Sequence, residues 1–222
     1  MDLIHSSYYP AGEGPHPTVI AMHGWGANAL DLLGLAPHLA EGRLLVLCPQ
    51  GPIRVATGQA SVGYGWFPIS MGAPPDPKAF RHATVALNGF VTDCMRHYPI
   101  APDRVALLGF SQGGAMAYAL AAAPPTRFAA VAALSTWLPP GVIDPTGRAV
   151  EPLAGLPVLV QHGATDTLVP IARGRDAVDR LRQAGASVRY REYGIGHEIS
   201  AESLRDLDAF LAQALLEPRP VA

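Results

Sequence analysis

The 222-residue chain is poor in cysteine, in lysine and in charge of either sign. Its two cysteines, Cys48 and Cys94, form no disulfide framework and match no CxxC or zinc-ligand spacing, so both read as free thiols in a core. Charged residues make up 15% of the chain, against roughly 25% in an average globular protein, which excludes a disordered or acidic-tail protein. The basic residues are fifteen Arg and one Lys (Lys78), and with a net charge of −2 they build no broad basic field for nucleic acid. No apolar run reaches the ~18 residues of a membrane span. The opening Met1-Asp2-Leu3-Ile4-His5-Ser6 has neither a charged n-region nor an apolar h-region, so no signal peptide is expected. The composition therefore reads as a cytoplasmic protein without a nucleic-acid partner or a membrane span, and a mature secreted form with its signal removed would read the same.

Apolar residues are plentiful, at 49%. A single hydrophobic core can serve up to roughly 250 residues, and neither a repeat nor a linker-like shift divides the chain, so residues 1–222 read as one domain. Short apolar runs at Thr18–His23, Leu44–Cys48, Val105–Phe110, Ala129–Leu134, Pro157–His162 and Val188–Tyr193 have the near-continuous hydrophobicity of strands buried on both faces. Helical patterns lie between them. Pro77–Tyr98 carries a stripe of Phe80, Ala83, Leu87, Phe90, Val91, Cys94 and Met95 behind an Asp76 cap and Pro77 at the first position; Ile171–Ala184 ends against Gly185; Ser200–Leu216 follows. This alternation predicts a doubly wound parallel sheet flanked by helices. The unpatterned stretches Pro49–Asp76 and Ser135–Leu156 leave the carboxyl ends of strands, where such sheets bind ligands.

Gly109-Phe110-Ser111-Gln112-Gly113 is a G-x-S-x-G match, for which nine Ser and 23 Gly give only about 0.1 chance occurrences. It follows the apolar run Val105–Leu108 and precedes the Ala-rich helical stretch Ala115–Ala123, so Ser111 reads as a nucleophile on a sharp strand-to-helix turn. There its oxygen meets a helix N-terminus that favours a developing oxyanion. A serine hydroxyl needs a base. Among eight histidines, His23 and His162 precede Gly at strand ends and read as turn-shaping, whereas His197 lies in the Gly-rich segment Tyr193–Glu198 just after the last strand, free to swing toward Ser111. Asp166, in the turn after Pro157–His162, completes the chain order Ser…Asp…His; Asp144 in a Pro/Gly loop ranks second. An oxyanion hole takes one backbone N–H from the residue after the nucleophile, Gln112, and one from an early strand–helix loop, for which His23-Gly24-Trp25-Gly26 offers Trp25. Apolar loop residues at the expected mouth, namely Trp25, Trp66, Phe67, Met71, Trp137, Leu168 and Val169, are candidates to line a pocket.

HGWGANALDL, GFSQGGAMA, ALSTWLP, HGATDTLVP and YGIGHEIS occur in that order, and together they resemble the phospholipase/carboxylesterase family of α/β-hydrolases, which includes small carboxylesterases and acyl-protein thioesterases. The likeness runs from about Thr18 to Leu216. It implies an α/β-hydrolase fold, with Ser111, His197 and Asp166 as the triad and Trp25 and Gln112 as the oxyanion hole, the residues already chosen above. Three departures stand out: Trp25 where the family usually has a small or aliphatic residue, Pro68 where an Asp follows the tryptophan-aromatic pair, and Ala164 where an acidic residue is common. No inserted helical cap is visible. The expected activity is serine carboxylesterase action on a small-molecule ester of short to medium chain, without metal or organic cofactor. A thioesterase or lysophospholipase using the same triad is the second reading. A non-catalytic binding protein on this scaffold is disfavoured by the intact triad, and a serine peptidase by the lack of an accessory domain. Relatives' habits imply a homodimer, although no isolated apolar segment here demands one.

Overall fold

A computed structural model describes residues 3–58, 61–69, 74–123, 128–143 and 153–217. In chain order its elements are β1 (His5–Tyr8), β2 (His16–Met22), β3 (Leu45–Pro49), β4 (Ile53–Ala56), β5 (Val62–Gly65), α1 (Pro77–His97), β6 (Ile100–Phe110), α2 (Gln112–Ala121), β7 (Ala130–Leu134), β8 (Pro157–Gly163), α3 (Ile171–Gln183), β9 (Ser187–Tyr193) and α4 (Ala201–Leu216). Seven strands form one sheet in the order β1-β3-β2-β6-β7-β8-β9. Only the β1–β3 pair is antiparallel. This is the mostly parallel, helix-flanked architecture of an α/β-hydrolase.

The period of two along each strand sorts side chains onto two cores. On one face Ile20, Met22, Leu107, Val131 and Val160 pack with Leu87 and Phe90 of α1, Met116 of α2 and Leu181 of α3. On the other, Val19, Ala21, Leu108 and Ala132 meet Leu207, Phe210 and Leu211 of α4 and the short 3₁₀ turn Leu33–His38. All six expected strands and all the expected helices are present, with ends shifted by a residue or two except at the start of α2, which is Gln112 rather than Ala115, and at β6. That strand begins at Ile100 rather than Val105, because Ile100 pairs with His16 before an irregular register shift resumes pairing at Thr18–Val105. Pro102 and exposed Asp103 within the extension hide it from a hydrophobic-run reading.

Three strands were not foreseen. β1 is a polar, half-exposed edge strand, and β4 and β5 form a separate two-stranded hairpin inside the stretch expected to be unpatterned. At the opposite edge, β9 alternates half-buried Val188 and Tyr190 with exposed Arg189 and Arg191. Every α-helix among the described residues packs on a face of the sheet. No described helix is long and apolar enough to cross a membrane. Cys48 and Cys94 are buried thiols outside any disulfide, and burial pushes both up to about 12, so neither is an available nucleophile near neutrality.

Leu107 is fully buried in the central strand, and truncating such a leucine typically costs about 2–5 kcal/mol through lost transfer energy plus a cavity. Leu107→Ala is expected to lower the urea-unfolding free energy by about that amount, while Val85→Ala, on the exposed face of α1, leaves it nearly unchanged.

Candidate active site

Sheet register brings the distant motifs together. Met22 pairs with Gly109 and Phe110 with Leu134, so the segments leaving β2, β6 and β7 start side by side. Gly163 pairs with Tyr193, which sets the loops after β8 and β9 together in the same way.

Ser111 occupies the turn from β6 into α2 with φ +53° and ψ −118°, a left-handed backbone rarely adopted by a non-glycine residue. The strain is held from both sides: Ser111 N–H donates to Leu134 O at 2.8 Å, and Thr136 Oγ1 donates to Ser111 O at 2.6 Å. Gly113 is required here, because a Cβ on it would stand 2.7 Å from His23 O. Gly24 lies against the turn, its virtual Cβ 3.4 Å from Ser111 Cβ.

Asp166 and His197 meet as expected: His197 Nδ1 donates to Asp166 Oδ2 at 2.7 Å, leaving Nε2 for a reacting proton. The Asp166 side chain is fully buried, and its other oxygen accepts from Leu168 N–H at 2.9 Å and Val169 N–H at 2.8 Å. These donors offset the cost of burying a carboxylate. His162 lies on the same side, its Nε2 3.5 Å from Asp166 Oδ2, and donates to Val169 O at 2.7 Å. The glycine-rich loop that carries His197 is hydrogen-bonded to its neighbours. Ala164 N–H donates to Tyr193 O and Thr165 N–H to Ile195 O, lacing the histidine loop to the aspartate turn, and a Ser200–Ser203 capping box fixes its far end on α4. The His197 ring lies 4.8 Å from that of Phe110, the residue before Ser111. Among the described residues no hydrogen bond joins the His197 ring to Ser111 Oγ; catalytic contacts of this kind commonly tighten only around substrate.

Neither Trp25 N–H nor Gln112 N–H has a hydrogen-bond partner among the described residues. The Gln112 side chain is fully buried: Oε1 accepts from Trp66 N–H at 2.8 Å and Nε2 donates to Phe67 O at 2.7 Å. Trp66 Nε1 donates to His23 O at 2.9 Å, and its ring lies 5.1 Å from the His23 imidazole. Trp66 and Phe67, each 1% exposed, are therefore not mouth-lining residues. Their hydrogen bonds draw them into the core, where Phe67 meets Phe80 edge-on, and there they support the two loops that flank Ser111. Val169, at 8% exposed, is likewise buried, its backbone turned to Asp166 and His162. Trp137 is half-buried, whereas Trp25 and Leu168 are exposed and do face outward. Met71 and Asp144 lie outside the described residues.

The structural roles of Gln112, Trp66 and Thr136 were missed; the turn-shaping roles of His23 and His162 were not. Among the described residues no three His, Cys, Asp or Glu side chains are grouped to hold a metal ion. A cavity of about 650 Å³ between the start of α1 and the end of α2, lined by Phe80, Thr84, Ala119 and Val142, touches none of the triad candidates.

Residues 7–215 match the phospholipase/carboxylesterase family. An acyl-protein thioesterase 1 of Gibberella zeae is 28% identical over 93% of this chain and 94% of its own length. A probable carboxylesterase of Arabidopsis thaliana, SOBER1-like, is 31% identical over 74% of this chain, which spans 64% of that relative, slightly under two thirds. The crystal structure of esterase PE8 superposes with a TM-score of 0.84 at 25% identity, covering 97% of this chain and all of that one. The Bacillus cereus carboxylesterase shares the fold with a TM-score of 0.80 at 20% identity, over 96% of this chain and 95% of that one.

Burial holds His23 below the usual 6.5, only partly offset by its bond to Gly24 and by Asp31. A depressed histidine is neutral in the fold where the unfolded chain is already protonated, so its contribution to stability is complete above about pH 6.5 and is lost as the pH falls through the folded value. Asp31, held above its ordinary range by burial, acts with the opposite sign. Between pH 7 and about pH 5, the wild-type protein is expected to lose more urea stability than His23→Asn, which cannot titrate.

Proposed function

The chain belongs to the phospholipase/carboxylesterase family, a family of carboxylic ester hydrolases, and we propose that it acts as a serine carboxylesterase through Ser111, His197 and Asp166. The observation that carries this reading is the 2.7 Å hydrogen bond from His197 Nδ1 to a fully buried Asp166, set beside a strained Ser111 at a helix N-terminus. A carboxylate buried with all its donors in place fixes one imidazole tautomer, the one whose Nε2 can accept a proton.

In this mechanism Ser111 Oγ attacks the ester carbonyl carbon as His197 Nε2 takes its proton. The carbonyl oxygen, now carrying the negative charge, accepts hydrogen bonds from Trp25 and Gln112 N–H. Collapse expels the alcohol, which takes the proton from His197 and leaves an acyl-Ser111. Water then adds by the same route and releases the acid. Exposed Trp25 and Leu168 and half-buried Trp137, on the loops after β2, β8 and β7, offer apolar surface to the substrate. With no helix raised over these loops among the described residues, small ester molecules of short to medium chain suit the site best. The near full-length similarity to an acyl-protein thioesterase favours acyl-thioester cleavage by the same residues as the second reading. A cytoplasmic site of action and a homodimeric state accompany the proposal as expectations from the sequence.

Rates on p-nitrophenyl esters from acetyl to palmitoyl test it. The expected result is an optimum at short chains and a loss of about 10³-fold or more in kcat in Ser111→Ala. A long-chain optimum abolished by the same substitution moves the assignment to the thioesterase reading. A rate that survives Ser111→Ala overturns both.

A further inference from the structure

One buried histidine has both ring nitrogens engaged and no part in proton transfer. His23 Nδ1 lies 2.7 Å from Gly24 O, and Gly51 N–H points at His23 Nε2 from 3.0 Å. A carbonyl oxygen can only accept and an amide N–H can only donate, so a single neutral tautomer, protonated at Nδ1, satisfies both contacts. The ring is 1% exposed, is packed by the Trp66 indole, and among the described residues feels the charge of Asp31.

Gly24 O also accepts from Ala27 N–H, at 3.3 Å, so the 2.7 Å contact with His23 is the shorter of its two, and this carbonyl belongs to the peptide whose other end is Trp25 N–H. A peptide group is planar and trans, so its C=O and N–H point in opposite directions. Grasping Gly24 O from the buried side therefore turns Trp25 N–H away from the core, and the bond also polarises the peptide and strengthens the donor. Gly24 is the residue packed on Ser111, which places this peptide beside the nucleophile. We infer that His23 is a positioning residue for catalysis: its Nδ1–H sets the plane of the Gly24–Trp25 peptide and so aims the Trp25 oxyanion donor. This rests on the oxyanion-hole reading given under the proposed function.

Two near-isosteric substitutions separate the roles of the two nitrogens. An Asn amide reaches the position of Nδ1 and retains a donor for Gly24 O, while a Gln amide reaches that of Nε2 and retains only an acceptor for Gly51 N–H. For short-chain p-nitrophenyl ester hydrolysis, His23→Asn is expected to stay within about threefold of wild-type kcat and His23→Gln to fall about 10- to 100-fold, both with little change in KM. That fall is part of the 10²- to 10³-fold expected for loss of a whole oxyanion donor. The second readout is the ionisation of the hemiketal formed between Ser111 and an alkyl trifluoromethyl ketone, followed by ¹³C NMR. Its pKa should be depressed in wild type and His23→Asn and less so in His23→Gln. Equal losses in the two variants, or the reverse order, would show a general packing role or an anchor for Gly51 and overturn the inference. A wild-type hemiketal that titrates as it does in water overturns the oxyanion-hole reading itself, a result distinct from a depressed value that both His23 variants retain, which overturns only the role of His23.

Discussion

The amide of Gln112 faces inward, and the two hydrogen bonds it makes set the spacing of everything around Ser111. A helix-start residue with its side chain buried has nowhere to send an amide except into other backbone, and here it takes Trp66 N–H and Phe67 O. Trp66 is thereby pressed against His23, and its indole N–H closes the circuit on His23 O. The early loop after β2 and the turn after β6 are thus tied through a third segment that touches neither strand's ladder. Each unsatisfied group in such a buried network costs about 1–3 kcal/mol, so the arrangement tolerates little partial rearrangement. Rigidity of this kind suits the oxyanion donors proposed above, which must already be aimed when charge develops.

Histidine tautomers divide the site into two halves. His197 and His23 each donate from Nδ1, whereas His162 donates from Nε2 to Val169 O and leaves a buried Nδ1 without a partner among the described residues. The choice is made in each case by whichever carbonyl or carboxylate lies closest, not by the histidine itself. Around Asp166 the result is a carboxylate enclosed by N–H groups from a turn and one ring, with a second ring at the edge of contact.

Much of this was readable from residues alone, for identifiable reasons. The parallel strands other than β9 are continuous or nearly continuous apolar runs because both of their faces are covered, and G-x-S-x-G is visible because a sharp elbow leaves no room for side chains. Asp166 and His197 could be named from chain order and loop placement. What escaped is what periodicity does not encode. β1 is polar and at an edge, β4 is only four residues long and half exposed, and β5 carries Gly63 and Gly65, which suit the close approach of Gly26 and Trp25 more than strand propensity. Trp66 and Phe67 read as loop aromatics in search of ligand, because nothing in their local pattern announces that a glutamine 46 residues away will bury them.

The two rims of the sheet bear on how this chain behaves in company. An open edge presents unpaired N–H and C=O groups to any passing strand. Here one rim is a four-residue strand, and the other carries Arg189 and Arg191, exposed residues whose guanidinium groups reach Gln213 and Asp206 on α4. A stranger approaching either finds a template too short or too charged to copy. Sheet-to-sheet growth between molecules is discouraged at both ends, and self-association is left to the helical faces and loop surfaces, where it need not disturb a single strand.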